Sequence, residues 1–174
     1  MTLQPDNLLP RLTEELERIQ VHDHPCLLYE TPAEQAGASA AFVQIGLARH
    51  ERCIYLVAAD GEEAVWQMLR DAGIAVEEAI LSGALSICSV RDFYFEDEVF
   101  NPKKAVATFE HAAESAQASG YAAVRILCDM SWASETILDF HALISYEVRV
   151  NQILQERDLI IFCQYDRKRF PAET

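Results

Sequence analysis

At 174 residues, 51% of them hydrophobic and 24% charged, the chain can bury one substantial core and gives no reason to expect two. Fourteen Lys and Arg against 28 Asp and Glu leave a net charge of -14, a field that repels phosphate backbones and anionic lipid, so neither nucleic acid nor membrane is expected as a direct partner. The opening segment has no basic start followed by a long apolar run, no later window reaches a membrane span, and the five cysteines show neither CxxC nor finger spacing, which points to a cytoplasmic protein with reduced thiols.

Leu8, Leu9, Leu12, Leu16 and Ile19 recur at helical spacing, so residues 1–20 read as an amino-terminal amphipathic helix ahead of a single domain over 21–174. "CLLYE" (26–30) reads as a strand, and Thr31-Pro32 as a helix start, threonine capping and proline fitting the first turn of a helix that runs to about Arg49. "CIYLVAA" (53–59) is a second strand, Asp60-Gly61 a turn, Glu62 to Ala72 a helix closed by Gly73, and "IAVEEAILSG" a short helical piece. "ALSICSV" (84–90) is a third strand, followed by an aromatic and acidic loop, "RDFYFEDEVF". A helix opens at Asn101-Pro102 and ends at Gly120. "YAAVRILCDM" (121–130) is the fourth strand, Glu135 to Glu156 the longest helix, and "DLIIFCQYD" (158–166) the fifth strand.

Strands apolar on both faces and separated by helices predict an α/β domain of three layers, a mainly parallel five-stranded sheet with helices on both sides. Ligands in such sheets bind outside the carboxyl ends of the strands. That rule places Cys88, Cys128 and Cys163 nearer the expected site than Cys26 and Cys53, although each cysteine also suits plain core packing.

Several chemistries lack their residues. The first strand-to-helix stretch, "YETPAEQAGASAAF", has one glycine, no lysine, and Glu30 and Glu34 where a GxxxxGK[ST] loop would hold phosphate. No GxGxxG appears, and no cofactor is expected. His22, His24 and Cys26 alternate, so in an extended segment they would point the same way and could begin a metal site, but a fourth ligand at a recognisable interval is missing. Asp129 closes a buried strand where a magnesium-binding acid can stand. Trp132 either stacks on a ligand or covers the sheet end. Phe140, Ile144, Glu147, Asn151 and Leu154 share one face of the long helix, and Arg125 is a charge inside an apolar strand; an Arg125–Glu147 structural ion pair is expected. Arg167, Lys168 and Arg169 read as a solvated turn.

"HPCLLYE", "ILCDMSW", "YEVRVNQIL" and "CQYDRKRFP", in this order and spanning about His24 to Pro171, resemble the MEDS domain, the sensory domain of methanogen and methylotroph regulators of the dichloromethane-responsive type. His24, Cys26 and Tyr29 match its opening motif. Met130, Ser131 and Trp132 match its Met-Ser-Trp stretch, with Asp129 where the family's Glu is expected. Tyr146, Glu147 and Asn151 match its long helix, and Cys163, Gln164, Tyr165 and Asp166 its last strand. The resemblance implies a RecA/KaiC-related core without a phosphate loop that senses small, hydrocarbon-like molecules. Since relatives join this domain to DNA-binding or kinase modules, output through a signalling partner or self-association is expected here.

The expected function is therefore non-catalytic ligand binding, with His24, Cys26, Tyr29, Glu30, Cys128, Asp129, Trp132, Cys163, Gln164, Tyr165 and Asp166 as candidate ligand-binding residues. A cysteine- or metal-dependent hydrolase using His24, Cys26 and Asp129 is the enzymatic alternative. A protein-interaction scaffold, through the amino-terminal helix or exposed aromatics of the "DFYFEDEVF" loop, is the third reading.

Overall fold

A computed structural model describes residues 8–58, 61–97, 99–135 and 140–170. In chain order its elements are α1 (Leu8–Arg18), β1 (Cys26–Tyr29), α2 (Pro32–Ala48), β2 (Arg52–Val57), α3 (Glu62–Asp71), α4 (Val76–Leu81), β3 (Leu85–Ser89), α5 (Val90–Tyr94), β4 (Phe95–Glu96), β5 (Val99–Phe100), α6 (Pro102–Ala118), β6 (Val124–Asp129), α7 (Trp132–Glu135), α8 (Phe140–Glu156) and β7 (Leu159–Asp166). Asp60 of the expected turn, the stretch 136–139 inside the expected long helix, and Pro171 lie outside the described residues. None of the described helices is long and apolar enough to cross a membrane.

Five strands form a parallel sheet in the order β1-β7-β6-β2-β3. The path from β1 to β2 to β3 moves one way across the sheet, and the path from β3 to β6 to β7 moves back. Right-handed crossovers then require the two sets of connecting helices to lie on opposite faces. They do: α2, α3 and α4 cover Cys53, Tyr55, Leu85, Leu127, Ile160 and Phe162, whereas α6 and α8 cover Ile54, Leu56, Ile126, Cys128, Ile161 and Cys163. The three-layer architecture read from alternating apolar strands and helices is the observed one.

Local chemistry sets the element boundaries. Thr31 Oγ1 accepts the Glu34 amide (3.2 Å), and the Glu34 carboxylate accepts the amides of Glu30 (2.8 Å) and Thr31 (3.3 Å), closing a capping box over Pro32. Asn101 Oδ1 caps α6 by accepting from Lys103 and Lys104. The amino-terminal helix packs on α2 through Leu16 and Ile19, and Arg49 ties it down by donating to the carbonyls of Ile19 (2.9 Å) and Glu17 (2.6 Å).

Two expectations are corrected. Arg125 does not pair with Glu147. It is fully buried on the α2 side of the sheet, donates from Nε to Glu51 Oε2 at 2.6 Å, and lays its guanidinium over the Phe42 ring at 4.5 Å. Parallel pairing sets Cys53 beside Arg125, and Glu51, two residues earlier, projects to the same side. Gly46 in α2 makes room for this pair, because a Cβ there would stand 2.6 Å from Cys53 Sγ and 2.8 Å from Arg125 Cδ.

The "RDFYFEDEVF" segment is not an exposed loop either. Ser89 Oγ caps the short α5, and β4 and β5 pair antiparallel. Phe93 and Tyr94 are buried, and Phe95 and Phe100 pack with Trp132 at ring separations of 5.3 and 5.0 Å. These aromatics form the end wall of the core rather than an exposed interaction patch.

Candidate functional site

The edge strand β1 and the facing side of α8 frame an open groove of about 390 Å³, lined by His24, Cys26, Leu28, Glu147, Cys163 and Tyr165. Its floor follows from strand register. Cys26 pairs with Cys163 and Leu28 with Tyr165, so these four side chains share the α8 side. Its wall follows from helical spacing, which sets Ile144, Glu147 and Asn151 on one side of α8, and Ile144 is exposed.

His24 joins floor to wall. Nδ1 lies 3.1 Å from Asn151 Oδ1, while Nε2 lies 3.4 Å from Cys163 Sγ and 3.8 Å from Glu147 Oε2. An amide oxygen can only accept, so the neutral ring carries its proton on Nδ1 and turns the Nε2 lone pair to the groove. The Tyr165 hydroxyl donates to Glu147 Oε1 at 3.3 Å. Behind the groove, Cys128 stands beside Cys163 in register, its sulfur accepts from the Tyr94 hydroxyl (3.1 Å), and Tyr146 donates in turn to Tyr94 (3.2 Å).

Burial sets the proton affinities. It lifts the Glu147 carboxyl above its usual range, against the opposing pull of His24 and the Tyr165 hydroxyl. Burial, then the Glu147 charge, raises the Cys26 thiol. The Cys163 thiol is raised by its hydrogen bond to Cys128 and by complete burial. Such thiols are largely protonated near neutrality, so Cys26 attacks only through its small ionised fraction and Cys163 only when a base takes its proton.

Of the residues singled out from sequence, the groove gathers His24, Cys26, Cys163 and Tyr165. Cys128 stands one strand further in and is fully buried. Trp132 is buried and stacked on Tyr94 at 5.1 Å, so it covers the end of the sheet. The Asp129 carboxylate accepts the Ser131 amide at 2.9 Å. Tyr29 and Gln164 project to the opposite, α2 side. There Gln164 meets Ser39, which also contacts the Tyr55 hydroxyl at 3.2 Å, and burial with the charges of Asp129 and Asp166 pushes Tyr29 up to about 12. Glu30 pairs with Arg167, and Asp166 accepts the Lys168 amide and lies 3.7 Å from Arg169, so the cationic turn is largely occupied by its own acids.

The alternating His22, His24 and Cys26 do not converge. His22 has φ 79, which breaks the extended geometry, and its Nδ1 contacts the Leu154 carbonyl. Among the described residues no three His, Cys, Asp or Glu side chains are grouped to hold a metal. Leu28 and Glu147 are groove residues that sequence reasoning did not place there. The alternation of β1 carries the signal for Leu28, since it is in step with His24 and Cys26.

The model of the MEDS family, the methanogen/methylotroph DcmR sensory domain, matches residues 23–174. The chain belongs to the MEDS family. A curated MEDS relative is the transcriptional repressor DcmR of Methylorubrum extorquens (strain DSM 6343 / CIP 106787 / DM4), 26% identical over 156 residues. The match covers 89% of this chain and 56% of the repressor, so the chain spans little more than half of that protein's length. Among solved structures, a KaiC-like protein of the hyperthermophilic archaeon Pyrococcus horikoshii OT3 superposes with a TM-score of 0.62 at 12% identity, over 83% of this chain and 61% of that one. The MEDS core here is therefore KaiC-like in fold. Family and relative support a sensory, regulatory role. At the head of α2, where a phosphate loop would present free amides, the Glu34 carboxylate already accepts them.

Proposed function

We propose that this MEDS domain is a non-catalytic sensor that takes a small, largely apolar molecule into the groove between β1 and α8. The observation that carries the reading is the groove's composition. Leu28, the two thiols and the Tyr165 ring supply apolar surface, while His24 Nε2 and the Glu147 carboxyl offer a few convergent polar atoms, the usual make-up of a small-ligand site. Its volume of about 390 Å³ suits a molecule of a few heavy atoms up to roughly drug-fragment size.

Ligand acts by population shift. A molecule bridging Leu28 on β1 and Glu147 on α8 favours the arrangement in which edge strand and helix are drawn together, and it shifts the equilibrium only as far as it prefers that state. A partner protein or a second copy of the chain reads the exposed surface beside the groove, where Leu28, Ile144 and Val148 stand in solvent. Nothing in this scheme needs turnover. The raised thiols and the engagement of Asp129 with its own backbone argue against a hydrolase built on His24, Cys26 and Asp129.

Native mass spectrometry of the purified protein against its denatured mass, with metal analysis alongside, tests the reading. The expected result is a small organic molecule retained under native conditions and absent after replacement of Cys26 by Trp. Stoichiometric zinc or iron lost on replacing His24 or Cys26 by Ala would overturn it.

A further inference from the structure

The sheet carries a row of thiols that ligand binding does not explain. Register sets Cys26 beside Cys163, Cys163 beside Cys128, Cys128 beside Leu56 and Leu56 beside Cys88. Partners in parallel register share a face, so four of the five cysteines stand in one transverse row interrupted by a single leucine. Accessibility is graded along it. Cys26 is exposed on the edge strand, Cys163 is buried beneath it, and Cys128 is buried one strand further in.

We propose that Cys26 and Cys163 form a peroxide-sensitive thiol pair, Cys26 meeting hydrogen peroxide in the groove and Cys163 closing a reversible disulfide onto it. Strand spacing of about 4.8 Å lies within the roughly 4.4–6.8 Å range of Cα separations that disulfides span, and no register slip is needed. The chemistry balances in two steps. The Cys26 thiol loses its proton to solvent, the thiolate attacks one peroxide oxygen, the O–O bond breaks, two electrons pass from sulfur to peroxide, and the departing hydroxide takes up a proton from solvent and leaves as water, with Cys26 as sulfenic acid. His24 Nε2, 3.4 Å from Cys163 Sγ, takes the Cys163 proton. The Cys163 sulfur then attacks the Cys26 sulfur, the S–O bond breaks, and the departing hydroxide recovers that proton as a second water. The bond staples the edge strand β1 to β7 and takes from His24 its thiol partner.

The site has a pH signature, because burial and the Glu147 charge hold the Cys26 thiol up. Its thiolate fraction, and with it the rate of oxidation, keeps climbing as pH rises past neutrality instead of levelling off. Cys53 is the internal control: it lies buried on the opposite side of the sheet, with Arg125.

The test uses the fully reduced protein without added ligand, so it stands apart from the fate of the sensor reading. After hydrogen peroxide, alkylation and digestion without reductant, free thiols should fall from five to three, with one peptide pair joined through Cys26 and Cys163, in a monomer, and reversed by dithiothreitol. In Cys163→Ser the same dose should leave a dimedone-reactive sulfenic acid at Cys26 and no internal disulfide. In His24→Gln that sulfenic acid should outlast the wild-type one. A Cys128–Cys163 link, a Cys26–Cys26 dimer between chains, or five unreacted thiols would each overturn the proposal.

Discussion

Replacing Glu51 by Ala isolates the buried charge of Arg125. The guanidinium is wholly inside, its single ion-pair contact is Nε to Glu51 Oε2 at 2.6 Å, and its Nη1 and Nη2 make no hydrogen bond among the described residues. Without Glu51 the remaining contact is the Phe42 ring at 4.5 Å, worth about 2 kcal/mol or somewhat more for a desolvated pair and unable to supply the hydrogen bonds a guanidinium needs. Breaking a buried pair from one side typically costs about 3–5 kcal/mol. Set against a total stability of about 5–15 kcal/mol, that is a large share. At about 2–4 °C per kcal/mol for a chain of this length, Tm should fall by roughly 6–20 °C. Urea denaturation and thermal melts of Glu51→Ala, Glu51→Gln and the Glu51→Leu/Arg125→Met double variant measure it. Gln keeps an acceptor for Nε and should lose less than Ala, and the double variant should recover most of the loss, since it leaves no orphaned charge. A loss below about 1 kcal/mol for Glu51→Ala would refute the reasoning, because the guanidinium would then have an equally good partner or access to water.

Tyr94→Phe removes the hydroxyl between Cys128 Sγ and Tyr146, leaves a buried Tyr146 donor unmatched, and should cost about 1–3 kcal/mol; Tyr94→Phe/Tyr146→Phe should cost less than the sum of the singles in a double-mutant cycle. Trp132→Ala takes away the ring on which Tyr94, Phe95 and Phe100 pack and should cost about 3–5 kcal/mol, with amides of the β4–β5 hairpin losing protection in hydrogen exchange. Burial raises the folded-state affinity of Glu147 for its proton, so its contribution is full below the unfolded carboxylate value of about 4.3 and is lost as pH rises through the higher folded value. Glu147→Gln should therefore be more stable than the wild type at pH 7, with the gap closing as pH falls towards about 4 in a series of denaturant melts.

The layer structure was legible because it rests on local pattern. Runs such as "CIYLVAA" and "DLIIFCQYD" are too apolar for anything but a sheet covered on both sides, and Thr31-Pro32 and Asn101-Pro102 mark helix starts by their own capping chemistry. What could not be read depends on register. Arg125 meets Glu51 because β2 lies beside β6, a neighbour relation that no spacing within either segment reveals. The hairpin in "RDFYFEDEVF" is held by rings from Trp132 and Tyr94, tertiary contacts that override a sequence with turn-like composition. The groove shows the same division. His24, Cys26 and Tyr165 stood out as residue types, but the groove they line is set by the sheet edge, where Cys26 pairs with Cys163 and Leu28 with Tyr165. Only the order β1-β7-β6-β2-β3, which leaves β1 uncovered on one side, places it there.

The most direct test of the groove as the sensing site is to follow amide and His24 ring resonances while adding a panel of small probes, benzene and short-chain alcohols among them, to the wild type and to Cys26→Trp. Saturable shifts confined to β1, β7 and α8, including the His24 ring, and absent from a folded Cys26→Trp protein, are predicted. Shifts that persist in the filled variant, or that map to the α2 side of the sheet, would contradict the account.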